Sequence, residues 1–142
     1  MASINPYLSF SGDCEEAFTF YRSVFGGEYS NLTRFGDMDL GMPMTDAEKS
    51  KIMHVAMPIG GGTVLMGSDV PAHMGTVVSG SSYSIAITPE NEDEARRIFD
   101  GLSAGGKVTM PLDNAPWGAL FGMFEDKFGF AWMVNYEIPK SA

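Results

Sequence analysis

A repeated pattern of strand, helix and glycine pair constrains this chain more than any other feature of its sequence. The apolar and aromatic run Ile4–Phe10 reads as a strand and is punctuated by Ser11-Gly12-Asp13. Beyond it, Cys14, Ala17, Phe18, Tyr21, Val24 and Phe25 recur at helical spacing, which predicts one buried helix face. Asp13 is the expected N-cap with Glu16 as its capping-box partner, and Gly26-Gly27 the expected stop. The same grammar returns downstream. Tyr83–Thr88 reads as a strand, Asn91 with Glu94 as a cap, and Ala95, Ile98, Phe99 and Leu102 as the apolar stripe, closed by Gly105-Gly106. Glu16-Ala17 and Glu94-Ala95 stand 78 positions apart, and the two glycine pairs 79 apart.

Each helix is followed by three strand-like segments. In the first copy they are 28–35, 53–59 and 63–67, the last two joined by Gly60-Gly61-Gly62 as a hairpin turn. In the second they are 107–110, 120–124 and 131–136, with a turn at 125–129. The expectation is an α+β chain written βαβββ twice: a first module over 1–68, a Gly/Ser/Pro-rich linker over 69–81 and a second module over 82–142. Residues 36–50 interrupt the first copy. They hold Met38, Met42 and Met44, and Thr45-Asp46-Ala47-Glu48 predicts one capped helical turn; loops of this length often serve as lids or partner surfaces.

Composition narrows the function classes. With 142 residues, the chain has room for one domain or two small halves sharing a core. At 44% hydrophobic and 12% aromatic residues it buries a core and is not disordered throughout. A net charge of −9 argues against nucleic acid as a partner, because phosphate binding needs clustered Lys and Arg. One Cys excludes an internal disulfide and a Cys-based zinc cluster, and two His leave little for a His-rich metal site. No apolar run approaches the roughly 18 residues that span a bilayer, and Met1–Pro6 carries neither a basic region nor a cleavable apolar stretch. A cytoplasmic protein without a membrane partner is the expectation.

Particular residues carry a resemblance. Pro6-Tyr7-Leu8-Ser9-Phe10-Ser11-Gly12-Asp13 leads to Glu16-Ala17 and Phe20-Tyr21, and then to Phe25-Gly26-Gly27-Glu28. His54-Val55-Ala56 and Met66-Gly67-Ser68-Asp69 follow, and then Trp117-Gly118-Ala119-Leu120-Phe121-Gly122, Asp126-Lys127-Phe128-Gly129 and Trp132. Through these segments the chain resembles the vicinal oxygen chelate superfamily of glyoxalases, extradiol dioxygenases and bleomycin-resistance proteins. Within it the chain is similar to the PhnB-like family. The resemblance implies that each βαβββ module curls into a half-barrel cup, and that two chains pair as a homodimer. A methyltransferase label sometimes given to that family finds no support, since no glycine-rich loop follows a strand to open a helix.

Enzymes of this superfamily hold a divalent metal with His, Glu or Gln from the first and last strands of each module. Matched to that pattern, the four positions fall on Pro6, Met66, Ser84 and Met133. Thioether, hydroxyl and proline are poor donors for such an ion, which predicts that the metal site is absent and that no cofactor is required. By strand alternation Leu8, Phe10, Ala86, Ala131 and Asn135 are expected to share the cup face with Met66, Ser84 and Met133, while Tyr7, Ile85, Ile87, Trp132 and Val134 pack beneath the helices. The methionines read either as an adaptable apolar pocket or as core filler.

The polar candidates are few, and each has two readings. His54 is either a general base or a strand-end histidine satisfied by the backbone. Asp69 is either a catalytic carboxylate or a brace for the linker, and His73 a solvated loop residue. Trp117 is either a stacking wall of the cup or part of a dimer seam. Asp126-Lys127 reads as a turn, and Cys14 as an inert buried thiol. Two functions follow. One is a metal-free binder of a small hydrophobic or cationic molecule, with Leu8, Phe10, Met66, Ser84, Trp117, Met133 and Asn135 lining the cup. The other is an enzyme of lyase, isomerase or dioxygenase type, acting on a small organic substrate through cup polar residues or an unforeseen divalent metal.

Overall fold

The computed structural model describes residues 2–38, 41 and 43–139; Met42 of the methionine-bearing insertion lies outside them. In chain order the first unit holds β1 (Tyr7–Phe10), α1 (Cys14–Phe25), β2 (Asn31–Arg34), a 3₁₀ turn (Phe35–Asp37), α2 (Asp46–Lys49), β3 (Ile52–Gly60), β4 (Thr63–Asp69) and a second 3₁₀ turn (Ala72–Met74). The second unit holds β5 (Ile85–Ile87), α3 (Glu92–Ser103), β6 (Lys107–Asn114), β7 (Ala119–Glu125) and β8 (Ala131–Glu137). The division between units falls between Val78 and Ser79. The strand orders are β1-β4-β3-β2 and β5-β8-β7-β6, with the first and last strand of each unit parallel and the other pairs antiparallel. The fold is therefore α+β, with one βαβββ topology used twice.

In the first unit the helix stripe buries Cys14, Ala17, Phe18, Tyr21 and Val24. Leu8, Phe10, Val55, Met57 and Leu65 are buried on the sheet, and the Phe18 ring meets Phe10 edge-on at 6.1 Å. Gly67 makes this approach possible. A Cβ there would lie 2.7 Å from Phe18 Cε1 and 2.9 Å from the Leu8 carbonyl. The second unit solves the same problem with Phe99 above Gly122, where a Cβ would lie 2.6 Å from the ring. Phe99 also packs edge-on against Phe124 at 5.0 Å.

Two of the three helices are capped as the sequence predicts and α1 is not. Asn91 Oδ1 accepts the Glu94 N–H at 2.8 Å, and Thr45 and Glu48 form the reciprocal box that starts α2. Asp13 occupies the N-cap of α1, but its side chain makes no capping bond because its backbone (φ −110°, ψ 21°) is not the extended N-cap conformation. The cap comes instead from Asp69 at the end of β4, whose Oδ1 accepts the N–H groups of Gly12 (2.9 Å) and Cys14 (3.0 Å). Asp69 Oδ2 accepts the Ile52 N–H at 2.9 Å. Asp69 thus belongs to β4 and not to a linker. The strand β6 runs on to Asn114 through Pro111, which an edge strand tolerates because half its N–H groups have no ladder partner.

Candidate functional site

Each sheet carries its helix on one face and leaves the other open. Register shows which side chains stand on the open faces. In the second unit Met123 pairs with Met133 and with Met110, and Ala86 pairs with Met133. Three methionines therefore form a row across β6, β7 and β8. In the adjacent row Phe121 pairs with Asn135 and with Asp113. Trp117, from the loop before β7, reaches the same place: its indole N–H donates to Asn135 Oδ1 at 3.4 Å, and its ring meets Phe121 edge-on at 5.3 Å. The indole remains 63% exposed. Ser84 precedes β5, is exposed, and stands at the level of Ala131, on the far side of the methionine row from Trp117.

On the first sheet Tyr7 pairs with Met66, which pairs with Ala56, which pairs with Asn31. Next to that row Ser9 pairs with Ser68, and His54 pairs with Thr33. Leu8 and Phe10 are not on this face. Leu8 lies opposite Gly67 and both side chains are buried, so the assignment of these two residues to the cup is corrected. Tyr7, expected beneath the helix, is the exposed one. The parity slipped because the apolar run from Ile4 hides where pairing begins. The strand starts at Tyr7, and Pro6 contributes only its carbonyl, to the Met66 N–H at 3.0 Å.

The other candidates resolve as follows. His54 Nδ1 is bonded to Asn31 Nδ2 at 2.8 Å, a side-chain partner and not a backbone one. Asp69 has both oxygens occupied by backbone N–H groups, the geometry of a brace. Asp126 is buried: its Oδ1 accepts the N–H groups of Phe128 and Phe130, and its Oδ2 accepts the Trp132 indole N–H at 2.8 Å. Burial holds the Cys14 thiol far above the ordinary range, with Asp69, Asp13 and Glu15 adding to the shift. His73 is exposed but lines a recess of about 720 Å³ in the first unit, with Phe35, Met44, Lys51, Val70 and Met74. The sequence signalled this recess only through the length and methionines of the 36–50 insertion. Met110, Phe121 and Met123 were also missed, although alternation along β6 and β7 was there to find them.

Residues 3–134 match the glyoxalase/bleomycin resistance protein/dioxygenase superfamily. The chain belongs to that superfamily. The chain is 31% identical to protein YjdN of Escherichia coli K12, over 93% of each. The crystal structure of protein PA1353 from Pseudomonas aeruginosa aligns with a TM-score of 0.81 at 39% identity, covering 96% of this chain and 98% of that one. A PhnB protein from Bacillus cereus aligns at 0.75 and 27% identity, covering 95% and 99%.

Many glyoxalase-superfamily members use a divalent metal, and the residues here do not fit one. The expected positions are Pro6, Met66, Ser84 and Met133, and the residue paired with Met66 on β1 is Tyr7. Thioether, hydroxyl and a phenol do not make the nitrogen and carboxylate set such ions take. Among the described residues no three His, Cys, Asp or Glu side chains gather to hold a metal. No helix among the described residues is long and apolar enough to cross a membrane.

Proposed function

We propose that this glyoxalase-superfamily chain binds a small, flat hydrophobic or cationic molecule on the open face of the second sheet, without a metal or other cofactor. The observation that carries the reading is Trp117, exposed yet held in place by Phe121 and Asn135 beside a row of three methionines. Aromatic faces and thioethers together suit a polarizable ring, and a cation over an indole gains about 0.5–2 kcal/mol. Asp113, opposite Phe121 in the register, supplies negative charge at the edge of that face. The net charge of −9 favours a cationic ligand at long range.

Two measurements separate this reading from a metal enzyme. Elemental analysis of the purified protein is expected to find no stoichiometric zinc, nickel, manganese or iron. A thermal-shift series is expected to respond to aromatic cations and to be indifferent to EDTA. Stoichiometric metal, or a melting temperature that falls with EDTA, favours the enzyme reading. A homodimer in the cytoplasm completes the proposal, and light scattering showing a monomer counts against the pairing.

A further inference from the structure

The open face of the first sheet differs chemically from that of the second. Its row of polar side chains pairs Ser9 with Ser68 and His54 with Thr33, with no charged side chain among them. Its centre is a histidine whose ring is held. Thr33 Oγ1 donates to Asn31 Oδ1 at 3.3 Å, and Asn31 Nδ2 bonds His54 Nδ1 at 2.8 Å. The amide thus presents its NH₂ end, and not its oxygen, to the imidazole. An amide NH₂ only donates, so Nδ1 is the acceptor and the neutral ring carries its proton on Nε2. The Tyr7 ring stands beside the imidazole at 6.0 Å, tilted by 35°.

We propose that this row is a hydrogen-bonding subsite for a carbonyl or carboxylate oxygen of a small organic ligand, with His54 Nε2–H as the donor and Asn31 and Thr33 as positioning residues. This reverses the expected role of His54. A general base needs a free lone pair facing the substrate, and here the lone pair is taken up by Asn31. The Ser9 and Ser68 hydroxyls, each able to donate and accept, provide further partners for a polar ligand. The inference concerns the first unit alone and does not rest on the Trp117 face.

The test is long-range ¹H–¹⁵N correlation of the imidazoles in the full chain at about pH 8, where an ordinary histidine is neutral. Exposed His73 serves as an internal reference. His54 is expected to show Nε2–H alone, and Asn31→Asp, which presents an acceptor in place of the donor, is expected to switch it toward Nδ1–H. Addition of acetophenone, a neutral carbonyl probe, is expected to shift His54 Nε2 and leave His73 unmoved, with benzoate doing the same. The shift with acetophenone is expected to fall at least several-fold in Asn31→Asp, a loss that charge repulsion does not explain. A wild-type Nδ1–H tautomer, a tautomer indifferent to Asn31→Asp, or no Nε2 shift with either probe overturns the proposal.

Discussion

The Asp69 carboxylate accepts the backbone N–H of Cys14 at 3.0 Å across 55 positions of sequence, capping a helix whose own N-cap side chain does not. The same carboxylate takes the N–H groups of Gly12 and Ile52. Asp69→Ala strands all three donors, and at about 1 kcal/mol or more for each the expected loss is about 3 kcal/mol. Asp69→Asn keeps one acceptor and presents an NH₂ group to the remaining donors, so it recovers only part of the loss. Urea denaturation of the three proteins checks the order.

Gly67 makes the second structural prediction. A methyl group there would meet the Phe18 ring at 2.7 Å and the Leu8 carbonyl at 2.9 Å. The ring can shift, but the carbonyl is part of the β1 backbone. Gly67→Ala is therefore expected to cost about 1–3 kcal/mol, read by the same denaturation. Phe18→Leu in the Gly67→Ala background is expected to relieve the ring clash and leave the backbone part.

Asp126 and Trp132 form a buried pair at 2.8 Å. Hydrogen bonds to a charged partner contribute about 1.5–3 kcal/mol. A double-mutant cycle of Asp126→Asn and Trp132→Phe is expected to show a coupling in that range. Additive effects would mean that Asp126 acts only through the turn.

The Cys14 thiol gives a pH prediction. In the unfolded chain it ionises from about pH 8.5, whereas in the folded chain burial keeps it protonated. Above that pH the unfolded state binds fewer protons, so stability present below it is lost as pH rises. One unit higher, at about pH 9.5, the loss relative to Cys14→Ala is about 1.4 kcal/mol. Native protein is also expected to resist alkylation by iodoacetamide until it is denatured.

The repeat made the architecture legible from sequence because helix period, cap and glycine stop recur together at fixed offsets. Face assignment was harder. In β8, Trp132 and Val134 alternate with Met133 and Asn135, and their burial follows that pattern. In β1 every residue but one is apolar or aromatic, so Tyr7 and Leu8 could exchange faces without changing the pattern. What decides between them is Gly67, a contact 59 positions away from Leu8 that no local pattern reveals. The cap on α1 was hidden for the same reason. Asp13 and Asp69 are equally good acceptors by type, and only the end of β4 places one of them.

The binding proposal is tested most directly by isothermal titration of the wild type and Trp117→Ala with 1-methylquinolinium, a flat aromatic cation. One site per chain is expected in the wild type, with affinity falling at least ten-fold in Trp117→Ala, the equivalent of about 1.4 kcal/mol. A parallel Met74→Glu variant, which places a charge at the recess of the first unit, is expected to bind as the wild type does. No binding to the wild type, or binding that survives Trp117→Ala and is changed by Met74→Glu, would contradict the account.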